Sequence, residues 1–444
     1  MRKNLFLLLF IAVGLAACKK DRTGDVRPVK LNLKLQVEAS AAAYGFDLSK
    51  SKVTVQNVEN GQSFEAAADA NGNVVLNDIM PGAYDVQATL TVAAAAYTQA
   101  TGITTDADIV YNASAKSQPL INLENSLSLE LKTGRIGDWL MKQIYYAGSN
   151  ARDGATFRDC FVEIYNNSNT VLYADSLCFG QAHGIPTRKT AIDFTRSYIL
   201  PSGQFDWSKS VGMNNTKANT DYIYASSMFM IPGTGKQHPV QPGASLIIAA
   251  TALNHKGAYI GATGTQITVR DPELTVDLSG ADFEVYVGDQ PGVNPLNSDI
   301  NNPNVPNLTV ILRGDRDLIF DATGRDSYFL AKAPQNIATF GKFATPDITS
   351  VTADTKLYLQ IPHAVVLDAV EVQPPLANNQ FPQRLQANLD AGFTFVSKGQ
   401  YSSQSLIRKT AKTINGRRVL QDTNNSKNDF TELDKADPSK NAFK

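Results

Sequence analysis

The sequence predicts an all-β protein made of two sandwiches, and three observations predict it. Apolar and polar residues alternate at period two through the first third of the chain, the pattern of a strand with one buried face. The turn dipeptides Asn71-Gly72 and Pro81-Gly82 separate those runs. From about Thr133 onward, short apolar strands are divided by long loops rich in Asn, Pro and Gly, and long helical periods are missing. At 444 residues the chain has room for about two or three domains, each with its own core.

Composition narrows the function. The 41 Lys and Arg balance 42 Asp and Glu to a net charge of -1, so there is no global field to hold a nucleic-acid backbone, and nucleic acid is excluded as an expected partner. A charged fraction of 19% with 43% hydrophobic residues describes a chain neither disordered by charge nor embedded in a bilayer. Four His, three Cys and two Trp are a thin stock for catalysis or metal binding.

Taken in order, Arg2 and Lys3 precede an apolar run from Leu5 to Leu15, which reads as a signal peptide over 1–17, too short to span a bilayer as a helix. The tetrad Leu15-Ala16-Ala17-Cys18 resembles the bacterial lipoprotein cleavage box. That resemblance implies that Cys18 is acylated and becomes the membrane anchor; an ordinary signal with an incidental cysteine is the alternative. Residues 18–30 are polar, carry Gly24 and Pro28, and read as a tether. Lys19-Lys20-Asp21 resembles the start of outer-membrane lipoproteins of the Bacteroidota, which implies outer-membrane anchoring, with the cell surface favoured over the periplasmic face.

Residues 31–132 form the first expected domain. Leu31, Leu33, Leu35 and Val37 make one strand, Val53 and Val55 a second, and Val74 to Leu76 a third after a type I′ hairpin at Asn71-Gly72. Tyr84, Val86, Ala88 and Leu90 make a fourth, and Leu127, Leu129 and Leu131 close the sandwich; Ala93 to Ala96 reads as a loop or short helical insertion. The run from Val53 to Leu90 resembles the carboxypeptidase-regulatory or transthyretin-like sandwich, which implies a spacer or docking unit.

Residues 133–444 form the second. "FVEIYNNSN" at 161–169, "PGASLIIAATALNH" at 242–255, "HAVVLDAVEV" at 363–372 and the late "GRRVLQDTNNSKNDF" resemble, in that order, the lamin-tail domain, an immunoglobulin-like sandwich. The gaps between the motifs exceed a minimal domain, so 181–240 and 256–355, including the run Asn294 to Asn307, read as long loop insertions, placed together as one composite contact face. The whole chain resembles a family of Bacteroidota lipoproteins encoded beside TonB-dependent receptors.

Candidate chemistry is sparse. Cys160 and Cys178 flank the turn "NNSNT" at 166–170, and a hairpin there would pair them as a disulfide in an oxidising compartment; the same register sets Glu163 opposite Asp175, and two buried free thiols are the alternative. His183, His238, His255 and His363 lack metal-ligand spacing. "GTGKQ" at 233–237 fails as a phosphate loop for want of its first glycine and its Ser or Thr. "DTNNSKND" at 422–429 has alternate oxygen ligands but lacks the glycine and the acidic residue of a calcium loop, and reads as an Asx-stabilised turn. Tyr145, Tyr146, Trp139, Phe205, Trp207, Tyr222 and Tyr224 read as core rather than as stacking platforms. No catalytic residue, metal site or cofactor is expected. The function expected is a non-catalytic ligand-binding or accessory partner of a TonB-dependent receptor, its ligand a small molecule, glycan or metal chelate; an extracellular hydrolase with scattered catalytic residues is the alternative.

Overall fold

The computed structural model describes residues 27–38, 41–101, 108–133, 138–333, 335–414 and 416–444, and among these the protein is all-β apart from 3-10 turns and two short helices, Ala94–Thr101 and Ser426–Asp429. The signal peptide at 1–17 and the lipidation residue Cys18 lie outside the described residues. None of the described helices is long and apolar enough to cross a membrane.

Seven strands build the first body: β1 (Val29–Val37), β2 (Lys52–Asn57), β3 (Ser63–Ala67), β4 (Asn73–Ile79), β5 (Gly82–Val92), β6 (Ile109–Leu120) and β7 (Glu124–Thr133). They are ordered β3-β2-β5-β6-β7-β1-β4. At the β6–β7 junction the register among the described residues sets Tyr111 opposite Thr133 and Asn112 opposite Lys132, and the two halves of the ladder enclose one core. Leu31, Leu33 and Leu35 of β1 meet Val86, Ala88 and Leu90 of β5 in that core, while the residues between them face outward. Each buried Leu or Val among them contributes about 1.5–3 kcal/mol by leaving water.

The Asn71-Gly72 turn corrects one expectation. It joins β3 to β4, but β3 pairs with β2 and β4 with β1, so the turn carries the chain between layers instead of closing a hairpin. Asp69 builds it, its carboxylate accepting from the backbone N–H of Asn71 and Asn73. Gly72 sits at φ 81°, and a Cβ there would lie 2.4 Å from Leu35 O.

The larger body is a second sandwich. Its front sheet runs Phe283–Glu284, Ser245–Ala249, β9 (Phe161–Asn166), β8 (Trp139–Tyr145), Ser405–Arg408, Phe430–Leu433. Its back sheet runs Lys342–Phe343, Tyr358–Pro362, Tyr222–Met230, Cys178–Ala182, Ser327–Ala331, Val366–Glu371, with Thr309–Leu312 also paired to Tyr222–Met230. Between them Met141, Ile144, Val162 and Ile248 of the front meet Phe179, Phe229, Leu330 and Val370 of the back.

Both sheets are also covered on their outer faces. Tyr145, Phe161 and Ile247 of the front pack beneath Val276, Leu278 and Val305, while Cys178, Ala225 and Phe329 of the back pack beneath Ile337, Leu385 and Leu389; Tyr224 and Tyr358, on the other face of the back sheet, pack against Phe205 and Trp207. The two long segments read as insertions are therefore not one composite face: 183–221 covers the back sheet and 256–305 covers the front. They are not loops throughout either, since Tyr222–Met230 and Ser327–Ala331 are central strands of the back sheet. The run Asn294 to Asn307 is built in, with Asp299 and Val305 buried and Asn302 donating to Ala252 O.

The two bodies touch along β5 and β6. Gln87 Nε2 donates to Ala391 O at 3.3 Å and Asn112 Nδ2 to Thr423 O at 2.8 Å, which leaves the outward face of β5 half-buried.

Candidate functional site

Cys160 and Cys178 do not pair. The expected hairpin does not form, because β9 lies in the front sheet and Cys178–Ala182 in the back sheet. Cys160 faces the core between the sheets and Cys178 the far side of the back sheet, both as buried free thiols. Glu163 and Asp175 separate with them: Glu163 accepts from Lys142 Nζ at 2.9 Å, and Asp175 turns into the "GTGKQ" loop. The Asp175 carboxylate accepts the backbone N–H groups of Gly235, Gln237 and His238 at 2.9–3.0 Å. That loop is thus an anion nest, and the protein's own carboxylate fills it. Burial raises the Asp175 pKa, but the three N–H donors outweigh it and bring the group down to about 2.

The calcium-like loop at 422–429 likewise surrounds a cation of the protein itself. Arg408 Nη1 lies 3.6 Å from both Asp422 and Asp429, and Asp429 also accepts from the Thr423 N–H and hydroxyl. The four histidines stay apart. His183 stacks on Tyr358 at 3.8 Å, His238 meets Phe283 edge-on, His255 lies 2.9 Å from Thr251 O, and His363 bonds Gln386. The aromatic residues close into the interior: Trp207 stacks on Tyr224 at 3.7 Å, and both are buried.

An open concavity lies on the front sheet's outer side. It is a groove of about 530 Å³, with one wall formed by 275–280 and Lys256 and the other by 435–439. The first wall is strand-like. Val276 and Leu278 point into the core, Asp277 bridges to Asn254, and the Asp277 carboxylate accepts the Ser279 N–H and hydroxyl to turn the chain. Gln143 of β8 clamps the second wall, donating to Asp437 O at 2.7 Å and accepting from Asp437 N–H at 3.0 Å, while Ala436 anchors in the core. Lys256, Asp277, Lys435 and Asp437 line the groove with both signs of charge.

Below its floor lies a buried polar network. The Thr275 hydroxyl donates to Asp159 Oδ2 at 2.6 Å and the Tyr145 hydroxyl to the same oxygen at 3.1 Å. Burial holds the Asp159 carboxyl above its ordinary range; it also depresses His255, against the pull of Asp159. Hydroxyl, carboxylate and imidazole are all present, but in the wrong order for nucleophilic catalysis. Thr275 is fully buried and gives its proton to the carboxylate, and the His255 Nε2 faces a carbonyl instead of the hydroxyl.

A second buried group gathers Glu284, Asp299 and Asp317. Glu284 is satisfied by the N–H groups of Ala252 and Asn302. Burial, reinforced by Glu284, pushes Asp299 up to about 7, and burial with Asp299 beside it holds Asp317 well above the carboxylate range. Among the described residues, no group of three or more His, Cys, Asp or Glu is arranged to hold a metal ion.

Sequence reasoning did not find Lys256, Asp277, Lys435 or Asp437. The Asx turn at 277–280 is the only local sign of the groove, whose walls come from segments about 160 residues apart joined through the core.

None of the curated proteins matches the chain. Among solved structures, the chain is similar to a DUF4876 family protein from Bacteroides thetaiotaomicron VPI-5482, with 22% identity, 91% of this chain and 94% of that one covered, and a TM-score of 0.49. It also matches a candidate adhesin from Bacteroides ovatus, with 10% identity, 35% and 55% covered, and a TM-score of 0.17. A DUF3823 family protein from Parabacteroides merdae ATCC 43184 matches at 9% identity, 47% and 92% covered, with a TM-score of 0.15. Over residues 241–437, which supply the first wall of the groove and much of the second, the chain matches the family described as "Protein of unknown function (DUF4876)".

Proposed function

We propose that the protein is a lipid-anchored binding or accessory protein of the outer membrane, held by acylated Cys18 and acting beside a TonB-dependent receptor. One observation carries the binding part of this reading. Much of the two long segments is spent covering the sheets, and the open groove between 275–280 and 435–439 carries charges of both signs, from Lys256, Asp277, Lys435 and Asp437, along its walls. Such a surface suits a polar ligand, a glycan or a peptide segment, more than an apolar small molecule. The anchor part rests on the lipobox Leu15 to Cys18 and on the tether that follows it.

The test has two arms. Cys18→Ala should abolish acyl labelling and release the protein from membranes; a variant that remains lipidated sinks the anchor. Mild detergent extraction with cross-linking should recover the native protein with a TonB-dependent receptor, and Lys256→Glu with Lys435→Glu should lower that recovery, or binding to a glycan array, without altering the thermal midpoint. A protein recovered alone, binding nothing and turning over a substrate, replaces this reading with the hydrolytic one.

A further inference from the structure

One end of the first body gathers three turns and the start of β1. Lys30 N–H donates to Leu123 O at 2.9 Å and Val58 N–H to Ala83 O at 2.9 Å. Val29 lies opposite Ile79, and Gly82 opposite Leu120. The turns between β2 and β3, β4 and β5, and β6 and β7 are therefore neighbours at this end.

Four large apolar side chains face water there: Ile121 is 66% exposed, Leu123 64%, Val58 51% and Met80 44%. Two of them follow a buried residue directly, Met80 after Ile79 and Ile121 after Leu120, so the core is already closed without them. Single exposed apolar residues are ordinary on a protein surface, but four on adjoining turns form a patch that calls for an occupant.

The path of the chain identifies that occupant. The described residues begin at Arg27 and enter β1 at Val29, at this same end. Nine residue steps separate Cys18 from Arg27, a reach of at most about 30 Å. We propose that this end is a membrane-contacting tip, whose four side chains dip into the interface of the bilayer that holds the acylated cysteine. The inference rests on the Cys18 anchor of the preceding reading. The patch lies on turn tips, which suits a broad lipid surface. Its charges are of both signs, Arg27 and Lys30 with Glu59 and Glu124, so apolar burial drives the contact without any need for anionic headgroups. The tip sets the orientation of the larger body relative to the membrane, where acyl chains on a tether alone would leave it free to swing.

Fluorescence of a reporter at the tip tests this in the acylated full chain on phosphatidylcholine vesicles. Trp139 and Trp207 are both buried and supply a constant background. Leu123→Trp should lose about half or more of its added emission when the lipids carry bromine on their acyl chains, and should do so equally in high salt. Ile260→Trp, at an exposed position of the larger body, should be indifferent to the bromine. Flotation reads the anchor and quenching reads the tip. Protein that floats with Leu123→Trp unquenched overturns the tip alone; protein that fails to float overturns the anchor and the tip with it. Shielding of Leu123→Trp only when a co-purified receptor is added assigns the patch to a protein and also overturns the proposal.

Discussion

Arg408 Nη2 lies 2.8 and 2.7 Å from the two oxygens of Asp368, a pair that spans the larger sandwich from the front sheet to the back. The Asp368 carboxylate also accepts from Met141 N–H, and the guanidinium donates to Met141 O and Gln421 O and lies over the Phe430 ring. Three carboxylates, Asp368, Asp422 and Asp429, surround this one buried cation.

Removing the cation should therefore cost more than removing any one anion. Arg408→Met leaves the buried carboxylates facing one another and should lower unfolding stability by about 3–5 kcal/mol. Arg408→Lys should recover only part of it, since one ammonium cannot serve at once the Nη2 contact with Asp368, the Nε contact with Met141 O and the Nη1 contact with Gln421 O. Urea denaturation of the purified chain measures both; a loss under about 1 kcal/mol for Arg408→Met would show that the network does not hold the sheets together.

The Asp175 nest makes a second prediction. Asp175→Ala leaves the N–H groups of Gly235, Gln237 and His238 without their acceptor and should cost about 2–4 kcal/mol. The folded pKa of about 2 lies below the unfolded value, so this stabilisation is present above about pH 4 and fades as pH falls toward 2. Denaturation curves at neutral pH and at about pH 2.5 should show the gap between wild type and variant narrowing in acid.

Histidine 183 acts in the opposite sense to a paired histidine. Burial, with Arg384 and Lys356 nearby, lowers its pKa to about 3, so it stays neutral in the folded protein while the unfolded chain takes up a proton below about pH 6.5. The contribution of this residue to stability thus falls as pH drops through 6.5 toward 3. Relative to wild type, His183→Phe should gain about 1–2 kcal/mol between pH 7.5 and pH 5, as read by paired thermal or urea melts. A constant difference across that range would place the imidazole in contact with solvent.

The thiols should be inert. Burial pushes Cys178 up to about 12 and holds Cys160 well above the ordinary thiol range, so neither forms the reactive thiolate in the folded protein. Alkylation should label both only after denaturation, and mass mapping without reductant should find no bond between them. A linked pair would require the two sheets to be rearranged.

How much of this was legible in the residues depended on how each strand is buried. In β1 and β5 one face meets a core and the other faces solvent or the neighbouring body, so Leu31, Leu33 and Leu35, like Val86, Ala88 and Leu90, declare their strands by alternation. The central strands of the larger body are buried on both faces. Cys178–Ala182 and Ser327–Ala331 therefore lack that alternation, and the second of these, with Tyr222–Met230, was absorbed into long loops. The Asn71-Gly72 turn was visible as a turn, but which strands it joins depends on pairings that lie elsewhere in the chain.

The sequence by itself determined the all-β class, the strand faces of the first body and the poverty of reactive groups, because periodicity and composition are local properties. Tertiary structure alone decided that Cys160 and Cys178 part to different sides of the back sheet. It alone placed Asp175 in its nest and Arg408 among its carboxylates, and it built a groove from 275–280 and 435–439. Each of these is a contact between residues far apart in the chain, set by how two doubly covered sheets pack, and no spacing along the sequence encodes that.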